Sequence, residues 1–246
     1  MPLIYGTAFY GQSQTLATAI RLNGVNQRLQ RTIGTGTEFT SVNRNQASHS
    51  IWFRVPTLGI SNPLFTVDNG AGGSSIAIRT ANDIRVFEQI VTNPPYRDGT
   101  TSMEIEVDTW HHLFVQIDTA ATDVLKIWLD GVLGFSGNTN TTGSTWGLQT
   151  LTHSIGYRQN TDTYFQGDLA LMHWVDGQAL LPTDFADVID GIYQAVPVTP
   201  TYDLNGHFMN FADPDDLGAD ADNGWTYTLS NITAADAIGD GPPTSY

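Results

Sequence analysis

The chain alternates between short apolar runs and turn signals, and almost nowhere sustains a helical period. Ser50-Ile51-Trp52-Phe53-Arg54-Val55 sets Ile51, Phe53 and Val55 on one face, and 112–118 does the same with Leu113, Val115 and Ile117. This two-residue period is that of a strand buried on one side. Val124 to Leu129 runs into Asp130-Gly131, a strand entering a tight turn. Leu169 to Val175 is apolar on both faces, as in a strand covered on both sides. Asn-Gly or Asp-Gly begins at Asn23, Asn69, Asp98, Asp130, Asp176, Asp190, Asn205, Asn223 and Asp240, supplying the positive-φ residues that hairpins demand. The one helical candidate is Pro182–Val188, with Thr183 placed to cap it. Many short strands, frequent turns and scarce helix predict an all-β fold, a two-sheet antiparallel sandwich.

Composition narrows the function. The 246 residues carry 10 basic and 25 acidic side chains, for a net charge of −15, with a single lysine, Lys126. A surface so short of cations cannot neutralise phosphates, which excludes direct nucleic-acid binding. The absence of cysteine excludes disulfides, thiolate catalysis and zinc–thiolate sites. No window approaches a membrane span, and Met-Pro-Leu-Ile-Tyr-Gly has no basic region or unbroken apolar stretch, so no secretory signal is expected.

Several segments resemble, in order and spacing, the concanavalin A-like lectin/laminin-G-like jelly roll. They are Ile20-Arg21-Leu22-Asn23-Gly24, Arg28-Leu29-Gln30-Arg31, 49–54, Thr109-Trp110-His111-His112-Leu113, 126–131, Ser154-Ile155-Gly156-Tyr157 and 165–170. The resemblance implies a jelly-roll domain over 20–190, an N-terminal arm over 1–19, and a C-terminal hairpin and tail over 191–246 packing on the sandwich. A narrower set comprises Val175-Asp176-Gly177-Gln178-Ala179-Leu180-Leu181-Pro182, 205–211, Leu217-Gly218-Ala219-Asp220 and Asn223-Gly224-Trp225. It resembles lectin-like tail, fibre and capsid-surface proteins of tailed bacteriophages. That implies a non-enzymatic structural protein on the virion surface, whose partners are other virion subunits, copies of itself and host glycans.

Candidate chemistry is spread along the chain. Sugars are gripped by a flat ring on their C–H face and by polar side chains on their hydroxyls. Trp146, Tyr157, Arg158, Asn160 and Tyr164 are candidates for such contacts. Trp52, Trp110, Trp128 and Trp174 fall on expected strands and read as core. Asp213, Asp215, Asp216, Asp220 and Asp222 crowd ten residues, a set of hard oxygen donors suited to Ca²⁺. The plainer reading is a hydrated acidic loop. Tyr5, Phe9 and Tyr10 on an uncharged arm suit docking onto a partner subunit.

Glu104, Glu106 and Asp108 would share one face of a strand, and related-fold glucanases carry their nucleophile and acid on such a strand. Their order departs from the glucanase pattern, and a solvated strand edge explains them as well. A glycoside hydrolase using Glu104 and Glu106, or a free lectin with calcium at 213–222, are therefore the alternatives. The six histidines show no zinc spacing, and His173, between Met172 and Trp174, reads as core.

Overall fold

The computed structural model describes residues 15–32, 45–68, 70, 73–89, 96–137, 151–203, 205–222 and 224–245. Their strands run in chain order as follows. The first group is β1 (Thr15–Leu16), β2 (Ala19–Asn23), β3 (Arg28–Thr32), β4 (Gln46–Arg54), β5 (Asn62–Asp68) and β6 (Gly73–Ile78). Next come β7 (Ile84–Gln89), β8 (Tyr96–Thr101), β9 (His111–Asp118), β10 (Leu125–Leu129) and β11 (Val132–Gly137). The middle holds β12 (Thr152–Ile155), β13 (Tyr157–Arg158), β14 (Thr163–Tyr164) and β15 (Gln166–Asp176). The chain closes with β16 (Ala186–Ile189), β17 (Ile192–Ala195), β18 (His207–Met209), β19 (Thr228–Ser230), β20 (Ala237–Ile238) and β21 (Pro243–Thr244).

Two large antiparallel sheets face each other, as the alternation predicts. One has the order β11-β10-β9-β4-β15-β2-β20 with β18 also on β15, and the other the order β19-β3-β12-β5-β6-β7-β8. Ile51, Phe53, Val55, Leu113, Val115 and Ile117 all enter the core between them. On β15 a bulge follows Ala170, and Leu171 takes φ 43°. The bulge shifts the alternation, so Met172 and Trp174 face the interior while Val175 faces outward onto Phe114 and Phe185. That outer face of β15 is covered too, because residues of the small sheet β1-β21-β17-β16 pack over Trp52, Ala170 and Leu171. The doubly apolar run thus has its physical reason.

Two of the turn dipeptides close tight hairpins as expected, whereas Asp98-Gly99 lies inside β8, paired with Phe87 and Val86. Leu129 pairs with Val132 around Asp130-Gly131, and Ile189 with Ile192 around Asp190-Gly191. All four turn residues have positive φ, between 50° and 80°, the mirror-image turn that matches strand twist.

Three sequence expectations need correction. Pro182–Val188 is not a helix capped by Thr183: Pro182–Asp184 forms one 3-10 turn preceded by Leu181, and Ala186 onward pairs as β16. The Asp184 carboxylate accepts the Leu181 N–H at 2.8 Å and closes the turn after three residues. Glu104, Glu106 and Asp108 lie on no strand; they are exposed in the connection from β8 to β9, where Asp108 takes φ 57°. Ile105 alone is buried there, pinning the segment to the core. Trp110 also lies off the strands and is only half-buried, its Nε1 donating to the Asp240 carbonyl at 3.1 Å.

The C-terminal segment is woven into the sandwich. Strands β18 and β20 join one large sheet and β19 the other, while β21 pairs with β1. The first described residues of the arm, Thr15–Leu16, are therefore tied to Pro243–Thr244.

Candidate functional site

The outer face of the second sheet carries a polar groove. The period of two puts Leu29 and Arg31 inward on β3 and leaves Arg28, Gln30 and Thr32 outward. On β12, His153 and Ile155 are inward, with Thr152 and Ser154 outward. Strand register aligns these into rows: Thr228, Gln30, Ser154 and Thr66 in one, Thr32, Thr152 and Asp68 in the next. Gln30 donates to Ser154 Oγ at 3.1 Å, and the Thr32 and Thr152 hydroxyls meet at 3.2 Å.

One wall of the groove is the β13–β14 hairpin, which lies over β5. Gly156 swings the chain out of β12 with φ +73°, and its place beside Leu22 leaves 2.4 Å for any Cβ. The Thr66 hydroxyl donates to the Tyr157 carbonyl at 2.7 Å, and the Gln159 N–H to Asp68 at 3.0 Å. These bonds anchor the hairpin to β5. The resulting cavity, about 480 Å³, is lined by Arg28, Gln30, Thr32, Thr152, Tyr157, Gln159 and Thr228. Its lining is amide, hydroxyl, one phenol and one guanidinium.

Tyr157 and Tyr164 are cross-strand partners with ring centroids 4.7 Å apart. The Arg28 guanidinium stands 4.8 Å from the Tyr157 centroid and donates to the Tyr164 hydroxyl at 3.3 Å. Tyr157 is only 8% exposed, so its ring supports Arg28 instead of offering a flat platform. Its hydroxyl donates to Asp162 at 3.2 Å, and burial pushes that hydroxyl up to about 12, keeping it neutral. Arg158 and Asn160 bond to each other at 2.9 Å on the hairpin and do not line the groove. Trp146, with Tyr5, Phe9 and Tyr10 of the arm, lies outside the described residues. Arg28, Gln30, Thr152, Gln159 and Thr228 were not singled out in sequence; the outward polar alternation of 28–32 and 152–154 was the available signal.

The five aspartates of 213–222 are not drawn together. Among the described residues no group of three acidic or histidine side chains is placed to hold a metal ion. Asp213 accepts the Asp215 N–H at 2.9 Å, and Asp220 accepts those of Phe208 and Asp222 at 2.9 and 3.0 Å. They brace turns. His173 is core, its Nδ1 2.5 Å from the Tyr202 hydroxyl and its ring stacked on Phe208 at 4.0 Å.

A second cavity, about 740 Å³, opens beside β2 and β15. Four of its charged side chains are spent on one another: Asp168 receives Arg21 at 2.7 Å and Arg54 at 2.8 Å, and Arg54 reaches Asp240 at 2.9 Å.

Comparison with known proteins agrees with this architecture. Residues 12–184 match the family model described as the concanavalin A-like lectin/glucanases superfamily, and the chain belongs to that family. Among solved structures, a putative carbohydrate binding protein from Bacteroides ovatus is similar over 93% of this chain and 62% of its own length, with TM-score 0.66 and 12% identity. The CBM40 of Ruminococcus gnavus IT-sialidase, solved bound to α2,3-sialyllactose, is similar over 69% of this chain and 95% of its own, with TM-score 0.52 and 14% identity. At such identities the likeness is one of fold. No curated protein matches the chain.

Proposed function

We propose that the protein is a non-catalytic carbohydrate-binding module that holds a glycan in the groove between β3, β12, β19 and the β13–β14 hairpin. The observation that carries this reading is the lining itself: fixed amides and hydroxyls in register rows, spaced by strand geometry and open along one side. Such groups match the alternating donors and acceptors of sugar hydroxyls, and the rigid sheet pre-orders them. Membership of a lectin-like family and the fold shared with carbohydrate-binding proteins support it. The exposed placement of Glu104 and Glu106 in a connection between strands gives that pair no enclosed site for hydrolysis.

Calorimetric titration of a panel of oligosaccharides tests this reading. One class is expected to bind, and Gln30→Ala to weaken it about tenfold with the melting temperature unchanged, because Gln30 faces outward. Unaltered binding in that variant would move the site elsewhere.

The setting we propose for this module is the surface of a tailed-phage particle, in contact with other virion subunits. It is supported by the resemblance of 175–182, 205–211, 217–220 and 223–225 to lectin-like proteins of such particles. Many copies on one particle would turn weak single contacts into firm adhesion. Mass spectrometry of purified particles from the source should find the chain in multiple copies; its absence from them would dispose of this setting.

A further inference from the structure

We infer that the groove selects glycans carrying a carboxylate, with Arg28 as the group that receives it; this rests on the glycan-binding reading above. In a chain with 25 acidic and 10 basic residues, the cavity lining contains one cation and no carboxylate among the described residues. The larger cavity shows the opposite, with Asp108, Asp168, Asp236 and Asp240 in its wall.

Among the described residues Arg28, Arg31 and Arg158 form no ion pair, and of these three only Arg28 lines the cavity. Arg21, Arg54, Arg79, Arg85 and Arg97 each form an ion pair with an aspartate or glutamate. The partners of Arg28 are neutral. Its Nε donates to Gln30 at 2.7 Å and its Nη1 to the Tyr164 hydroxyl at 3.3 Å, with its plane held near the Tyr157 ring. A guanidinium has five N–H donors, so three remain unused among the described residues. The two carboxylates of the neighbouring hairpin region are engaged elsewhere, Asp162 by the Tyr157 hydroxyl and Asp68 by the N–H groups of Gly70 and Gln159.

A guanidinium fixed by neutral partners retains its full charge and its fork, which a carboxylate matches with two hydrogen bonds. The ordering of the side chain is already complete before the ligand arrives. The surrounding amides and hydroxyls then serve the rest of the sugar. Uronic and sialic acids share this chemistry, and a neutral sugar offers nothing for the guanidinium beyond ordinary hydroxyl contacts.

The test compares an oligosaccharide bearing uronic or sialic acid with the same oligosaccharide after its carboxyl is reduced to an alcohol, by calorimetry at fixed ionic strength. The acidic form is expected to bind at least about tenfold more tightly. Arg28→Gln should abolish that preference while leaving weak binding of both forms, and Arg28→Lys should restore part of it. Equal affinity of the two forms for the unaltered protein overturns the inference and leaves the glycan-binding reading standing. Failure of every acidic and neutral glycan to bind overturns that reading as well. The comparison on the unaltered protein needs no variant to fold.

Discussion

The rings of His153 and Trp174 meet across the interior, one from each large sheet, with centroids 5.0 Å apart. Around them lie His49, stacked on Trp174 at 5.9 Å, and His207, edge-on at 5.8 Å. Strand register places His49 and His207 on either side of Trp174. The core therefore holds a belt of imidazoles where an all-hydrocarbon layer would be usual.

Acid should destabilise this belt, and with it the buried His112 and His173, which pack outside it against Trp52 and Phe208. Burial pushes His49, His112 and His173 down to about 3, and burial followed by the charge of Arg31 holds His153 and His207 well below the ordinary value. The unfolded chain binds protons near pH 6.5 that the folded one refuses, so their stabilisation is complete above that pH and is lost as pH falls toward 3. Each such histidine costs about 1.4 kcal/mol per pH unit below 6.5. Two groups act in the opposite sense: Glu88, pushed up by burial to about 7, and His111, which Asp130 raises against the effect of burial. Five against two leaves the acid effect dominant. Thermal melts should show a steep fall between pH 6.5 and about 4.5, and a flat profile there would contradict the neutral-imidazole core.

Asp168 joins Arg21 and Arg54, and its side chain is nearly buried whereas that of Arg21 is 58% exposed. Asp168→Asn should cost about 2 kcal/mol, because it removes the buried partner of Arg54 and leaves it only the exposed Asp240. Arg21→Ala should cost under about 1 kcal/mol, since water screens that arm of the pair. Urea unfolding of the two variants measures both, and equal losses would show that exposure does not govern this pair.

Gly156→Ala meets two obstacles, the left-handed backbone at φ +73° and the Leu22 methyl 2.4 Å from the new Cβ. A loss of about 2–4 kcal/mol is expected. Any glycan binding should weaken as well, because the hairpin wall starts at this residue. An alanine variant as stable as the parent in a denaturant titration would rule out that role.

Glu104→Gln and Glu106→Gln should leave stability within about 0.5 kcal/mol of the parent, as expected for exposed side chains free of packing. Neither the parent nor the variants should release reducing ends from polysaccharides. Cleavage that disappears in either variant would revive the hydrolase reading.

Calcium should leave the melting temperature of EDTA-treated protein unchanged, since Asp213 and Asp220 already accept backbone N–H groups and the described carboxylates do not converge. A rise on adding calcium, abolished by Asp220→Asn, would point to a site the turns conceal.

The sequence by itself determined the layers. Alternation in 50–55 and 112–118, the doubly apolar 169–175 and the Asp-Gly turns are local signals, and strand geometry converts each directly into a buried face or a hairpin. It also supplied Tyr157 and Tyr164, though not their roles. Only the tertiary structure brought Arg28–Thr32, Thr152–Ser154 and Thr228–Ser230 side by side, since the register of strands more than a hundred residues apart follows from how the whole sandwich packs. It likewise set Tyr157 under a guanidinium and left Asp213 and Asp220 bracing turns, with no group of three of the neighbouring aspartates placed to hold a metal ion. Proximity along the chain says which groups are available; the direction each side chain takes from a twisted sheet decides which of them meet.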